Sequence, residues 1–174
     1  MTKGFTMKFT VFSFLILLVL WMTCCSSSDN TIEPNEEAEK EEMQETTAGV
    51  AQVTDVSVSG SNDQYTFNVT ISSPDLGCNQ YANWWEIIDL DGNLLYRRIL
   101  AHSHVNEQPF TRSGGPVVIS EDTVVYIRAH MNTTSYGSSV FKGSITDGFT
   151  SENLDTEFAK GLEEMAPLPA NCAF

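Results

Sequence analysis

The chain has 174 residues and a mass of 19.3 kDa, with 9 basic against 23 acidic side chains, a net charge of -14 and a pI near 4.3. This length bounds it to one ordinary domain with appendages, and so acidic a surface, without a basic cluster, repels phosphate backbones and excludes nucleic acid as a partner. At 41% hydrophobic and 10% aromatic residues it can bury a real core, and a charged fraction of 18% is too low for a wholly disordered protein.

Lys3 and Lys8 precede an uncharged run of 14 residues, 9–22, which leads to the pair Cys24 and Cys25. The run is shorter than the roughly 20 apolar residues a spanning helix needs, and an acidic stretch follows it directly, so residues 1–24 read as a signal peptide. A Cys at that point, followed by Ser26, Ser27, Ser28 and Asp29, resembles the lipobox of bacterial lipoproteins. The resemblance implies a thioether-linked diacylglyceride on the Cys, an acyl chain such as palmitate on its new amine, and the lipid bilayer as a partner. It also implies a lipid-anchored place in the bacterial cell envelope. Cys25 fits the pattern better, because Met22 and Cys24 stand where the family has leucine and a small residue. For the alternative, Cys24, those positions hold Trp21 and Thr23. Three acyl chains, at about 0.8 kcal/mol per buried methylene, make an effectively permanent anchor.

Residues 25–48 read as a tether. Eight acidic residues and one Lys, with no aromatic, predict an extended, self-repelling segment. The Ser-Ser-Ser-Asp-Asn stretch resembles signals that direct lipoproteins to the outer membrane, and reads equally as a plain spacer. Six basic and fifteen acidic residues remain in 49–174, a net charge of -9.

Residues 49–148 carry seven short runs rich in β-branched and aromatic side chains: 53–58, 65–71, 84–89, 94–101, 116–119, 123–131 and 140–145. Their spacing predicts an all-β antiparallel sandwich. The clearest run alternates Tyr65, Phe67, Val69 and Ile71 with Thr66, Asn68, Thr70 and Ser72, the period of a strand with one buried face. A Trp on the third run, after that alternating second one, is similar to immunoglobulin and fibronectin type III domains. The likeness is one of architecture, and the inter-sheet Cys pair of antibody domains is absent.

Asp91-Gly92 between two hydrophobic runs is a strong hairpin signal. Placed at the centre of a tight turn, it sets Glu86 opposite Arg97, Trp85 opposite Arg98 and Trp84 opposite Ile99, predicting an ion pair and a cation–π contact between Trp85 and Arg98. The same stretch begins like a calcium loop but has Leu94 and Leu100 where such a loop needs Gly and Glu.

Cys78 and Cys172 are expected to form a disulfide, as exported cysteines do. It would tie the C-terminal extension, 149–174, to the sandwich. In that extension Leu154, Phe158, Leu162 and Met165 recur at helical spacing behind Ser151, which predicts a short helix, or else an extended tail, packed as a lid. Gly161 weakens it, and Pro167 ends it.

Three constellations are candidates for chemistry. His102 and His104, two apart, would share one face of a strand, and His130 on another strand could supply a third imidazole; that donor set suits zinc or copper, with Glu107 in reserve. The plain alternative is strand-end histidines hydrogen-bonded to acidic neighbours. Arg98, Arg112 and Arg128 could bind a carboxylate or a sulfated sugar through their forked guanidiniums, or simply pair with Glu86, Asp89 and Glu107. The stretch 107–116 reads as a long loop, a place for recognition, with Phe110 plugging the core. One of Trp84 and Trp85 could serve a glycan as a platform. No nucleophile elbow, phosphate loop or paired-carboxylate site occurs, so no residue is assigned a catalytic role. The sequence therefore reads as a membrane-anchored envelope lipoprotein whose sandwich binds an unknown protein or glycan partner, or serves a structural role, without catalysis. The alternative is a metal-binding protein built on the three histidines.

Overall fold

In the computed structural model, which describes residues 49–61 and 63–173, nine strands form two antiparallel sheets that pack face to face as an all-β sandwich. The expected signal peptide, Cys24, Cys25 and the tether lie outside the described residues. The strands are β1 (Gln52–Ser61), β2 (Gln64–Ser72), β3 (Ala82–Asp89), β4 (Leu94–Ile99), β5 (Phe110–Val117), β6 (Val125–Met131), β7 (Ser135–Tyr136), β8 (Ser139–Ser144) and β9 (Gly148–Asn153). The small sheet has the order β1-β2-β5 and the large one β4-β3-β6-β8-β9, with β7 pairing β6.

The alternation of the second run places Tyr65, Phe67, Val69 and Ile71 of the small sheet against Trp85, Ile87, Ile127, Ala129 and Met131 of the large one. Each Val, Ile, Phe or Met among them contributes roughly 1.5–3 kcal/mol through burial. β3 is unusual in being buried on both faces. Its inner face carries Trp85 and Ile87, and its outer face, with Trp84 and Glu86, lies beneath the C-terminal extension.

That extension is not an α-helix. Residues 148–153 continue the large sheet as β9, Lys142 pairing with Glu152 across the ladder at 3.3 Å. The one helical piece among the described residues is a 3₁₀ turn, Lys160–Glu164, entered through Ala159 at φ +50°. Of the apolar stripe only Leu162 is buried, and Met165 is exposed. Pairing with β8 takes Ser151, the expected cap, into β9, and the stripe beyond Asn153 forms turns and the 3₁₀ piece.

Two further expectations are corrected. The stretch 107–116 is mostly strand: β5 runs from Phe110 to Val117 and pairs with β2. Its glycines mark close packing as well as turning, since a Cβ on Gly114 would stand 2.8 Å from the rings of Trp85 and Tyr96. Phe110 does enter the core. In the β3–β4 hairpin, Trp84, Trp85 and Glu86 face Ile99, Arg98 and Arg97 as expected. The turn is different, however: Asp89 pairs with Asn93 through its N–H, and Gly92 adopts φ +85°. A bulge between Ile87 and Ile88 then restores the register. The Asp89 carboxylate accepts from the Asp91 and Asn93 amides and from the Asn93 side chain. Those bonds, the Asn93 side chain's first, hold its pKa below the usual carboxylate range.

Candidate functional site

The last residues of β4 and the first of β5 are joined by residues 100–109, which carry His102, His104 and Glu107. The two histidines therefore sit in a loop, not on a strand, yet their rings still meet, with centroids 4.5 Å apart. His104 lies between His102 and Phe110, stacked on the latter at 3.8 Å with an interplanar angle of 7°. It is 2% exposed, whereas His102 and Glu107 are exposed.

A residue without any sequence signal organises this loop. Asp75, buried in the segment between β2 and β3, accepts through Oδ1 from Ser73 Oγ at 2.7 Å and the Ala82 amide at 3.0 Å. Through Oδ2 it accepts from the His104 amide at 2.7 Å and Ser103 Oγ at 3.3 Å. Gln108 ties the same segments together, accepting from the Ser73 amide and donating to the His104 carbonyl. The Ser73-Pro74-Asp75 segment and the histidine loop are thus held as one unit by charge-assisted hydrogen bonds. The carboxylate also reinforces the effect of burial in pushing the Tyr81 phenol up.

The backbone of His104 is satisfied, but its ring is not. Neither Nδ1 nor Nε2 has a hydrogen-bond partner among the described residues. Nδ1 faces Asp75 Oδ2 at 4.0 Å and Nε2 faces Glu107 Oε1 at 3.7 Å. Burial first, then the Arg112 guanidinium and the His102 ring, hold its pKa below the usual imidazole range against the opposing pull of Glu107 and Asp75. Donor atoms of His102, His104 and Glu107 lie within 4.8 Å of one another. They border a cleft of about 380 Å³ whose wall includes Cys78. The Cys78–Cys172 disulfide is formed, with Cα atoms 5.6 Å apart, and Ala173 beyond it donates its amide to the Ala101 carbonyl at 2.5 Å.

His130 is not part of this cluster. It lies on the outer face of β6, stacked on Trp84 at 3.7 Å and 7°, with Nδ1 2.6 Å from Asn83 Oδ1 and Nε2 3.5 Å from Glu163. The expected three-histidine arrangement is therefore a pair plus Glu107. Burial, with Arg97 and Arg128 adding, depresses His130 to about 3.

The arginines also separate. Arg128 is buried and, together with Arg97, clamps the wholly buried Glu86: Arg97 Nε donates to Oε2 at 2.7 Å and Arg128 Nε to Oε1 at 2.8 Å. The outer edges of both guanidiniums donate to backbone carbonyls of the C-terminal extension: Arg97 to Leu162, Met165 and Pro167, and Arg128 to Phe158 and Ala159. Arg97 lies over Trp84 at 4.5 Å, so the cation–π contact forms there and not between Arg98 and Trp85. Arg98 instead reaches the Ser113 carbonyl. Arg112 pairs with Glu107 at 2.6 Å. Only Arg98 and Arg112 of the three come together, beside His102 and His104 in a small recess of about 100 Å³. Trp84 and Trp85 are both buried, so neither offers a platform to a sugar.

The chain is similar to a protein of Halomicrobium mukohataei named "Putative lipoprotein", with 36% identity over 115 residues, 66% of this chain and 56% of that protein. It thus spans little more than half the length of that relative. No family model matches the chain. No solved structure matches it.

Proposed function

We propose that the chain is a lipid-anchored protein of the cell envelope that presents its sandwich as a non-catalytic binding or structural module. The observation that carries this reading is the apolar run 9–22 ending at Cys24 and Cys25 behind Lys3 and Lys8. The lipoprotein name of the relative supports it, as does the Cys78–Cys172 disulfide, which belongs to an oxidising compartment. Cys25 carries the acyl chains in this reading, and the Ser-Asp-rich stretch after it supports the outer membrane as the address. The order β1-β2-β5 against β4-β3-β6-β8, with Trp85 buried on the third strand, supports an immunoglobulin-like arrangement.

Metabolic labelling with radioactive palmitate tests the anchor. The full-length protein should be labelled and sediment with membranes. Cys25→Ser should lose both properties, and Cys24→Ser should keep them. Labelling that survives in the double variant, or none in the parent, overturns the reading.

A further inference from the structure

We propose that His102, His104 and Glu107 bind one divalent ion of the zinc class, with His104 ligating through Nε2 and Asp75 orienting its ring. This is independent of the anchor. The decisive observation is the ring of His104, which is 2% exposed, with two nitrogens that no atom of the described residues satisfies. A buried neutral imidazole with both nitrogens idle forfeits a donor and an acceptor, and such groups are normally paired. Here each nitrogen faces a carboxylate from the distance of a slightly long contact: Nδ1 stands 4.0 Å from Asp75 and Nε2 3.7 Å from Glu107. A ligating imidazole has this environment. One nitrogen holds the metal, and the other gives its N–H to a carboxylate that fixes tautomer and orientation.

The remaining ligands are close to their places. Tetrahedral bonds of about 2.0–2.2 Å put ligand atoms roughly 3.3 Å apart, and the donors of the three residues already lie within 4.8 Å of one another. His104 is held by stacking and by the hydrogen bond of its amide to Asp75, whereas His102 and Glu107 are exposed side chains that can move to close the remaining gap of about 1.5 Å. Arg112 holds Glu107 by one guanidinium nitrogen, and the second carboxylate oxygen retains its acceptor capacity. Two imidazoles and one carboxylate suit zinc or copper over calcium or magnesium. Three protein ligands leave a fourth position, which would open on the 380 Å³ cleft and accept water or a ligand atom from a partner.

The test is zinc stoichiometry and affinity of the full-length protein in detergent, by elemental analysis after dialysis and by calorimetric titration with Zn(II). His102→Ala and Glu107→Gln replace exposed groups, and matching unfolding midpoints without metal show that both variants fold. Glu164→Gln is the control for general acidity. The expected result is one zinc per chain, bound about tenfold or more weakly in each of the two variants, and unchanged in the control. In addition, Zn(II) should shift the ring resonances of His102 and His104 and leave those of His130 in place. No stoichiometric zinc, affinity unchanged in either variant, or an undisturbed His104 ring each overturns the site.

Discussion

The Asp75 carboxylate holds His104 by its backbone amide at 2.7 Å and faces its ring Nδ1 from 4.0 Å. With four donors converging on two buried oxygens, Asp75 cannot be replaced by its amide. Asp75→Asn would turn an NH2 group toward donors that need an acceptor. We expect it to cost about 2–3 kcal/mol, the desolvation penalty of buried groups left unpaired, measured by urea unfolding. Hydrogen exchange should accelerate at the His104 and Ala82 amides. A loss under half of that figure would mean that Asp75 is not the organising group.

Glu86 is the buried carboxylate that Arg97 and Arg128 share. Glu86→Gln leaves both of them uncompensated, and removal of one member of a buried ion pair typically costs about 3–5 kcal/mol. The C-terminal extension is attached to those same guanidiniums through five carbonyls, so it should loosen first. Limited proteolysis should cut near residues 158–167 in the variant under conditions where the parent is intact.

His130 gives the fold an acid limit. In the unfolded chain its imidazole titrates near the ordinary value of about 6.5, and in the fold at about 3. Between these values the unfolded state binds a proton that the native state refuses. Stability is therefore full above about pH 6.5 and falls as the pH drops, by at most about 1.4 kcal/mol per pH unit. Arg97, Arg128, Glu163 and Tyr136 lie about this ring. Glu163 acts with the opposite sign: burial raises its pKa, so it lowers stability as pH rises through the window above the ordinary carboxylate value. His130→Phe keeps the stack on Trp84 and should flatten the slope between about pH 6.5 and 4 in urea unfolding. An unchanged slope would assign the acid sensitivity elsewhere.

Gly114 is held to hydrogen by Trp85. A methyl group there would stand 2.8 Å from two carbons of the indole and from Tyr96. Gly114→Ala should cost about 1–3 kcal/mol, as overpacking does, and shift the tryptophan fluorescence. A variant as stable as the parent would show that β5 can move away from the large sheet.

These residues also show what the sequence discloses. The alternation of Tyr65 to Ile71 was legible because one face of β2 is buried and the other wet. The pairing of Glu86 with Arg97 was legible because Asp91-Gly92 marks a turn, although two offsets, a three-residue turn and a bulge, cancel to give it. β5 was hidden because Gly114, Gly115 and Pro116 read as a loop, whereas Gly114 serves contact with a ring more than twenty positions away. β9 was hidden because its run, Gly148 to Asn153, is polar but for Phe149, and the helical spacing beyond it yielded only a 3₁₀ turn. His102 and His104 meet, but in a loop that Asp75 and Gln108 hold and not through the alternation of a strand. The departure of His130 was not legible, since its environment is set by Trp84, Tyr136 and an extension thirty residues on. Asp75 left no trace in the pattern, because a buried carboxylate is recognised by its donors, and those come from four separate positions.

The Glu86 clamp draws its two guanidiniums from β4 and β6, the strands on either side of β3. Side chains alternate across a sheet, so a slip of either strand by one residue would carry its arginine to the opposite face and strand Glu86 with half its partners. An apolar triplet would tolerate such a slip far better than a charge does. The clamp thus works as a keying pin for strand alignment: the hairpin, the central pair and the C-terminal extension seat correctly together or not at all.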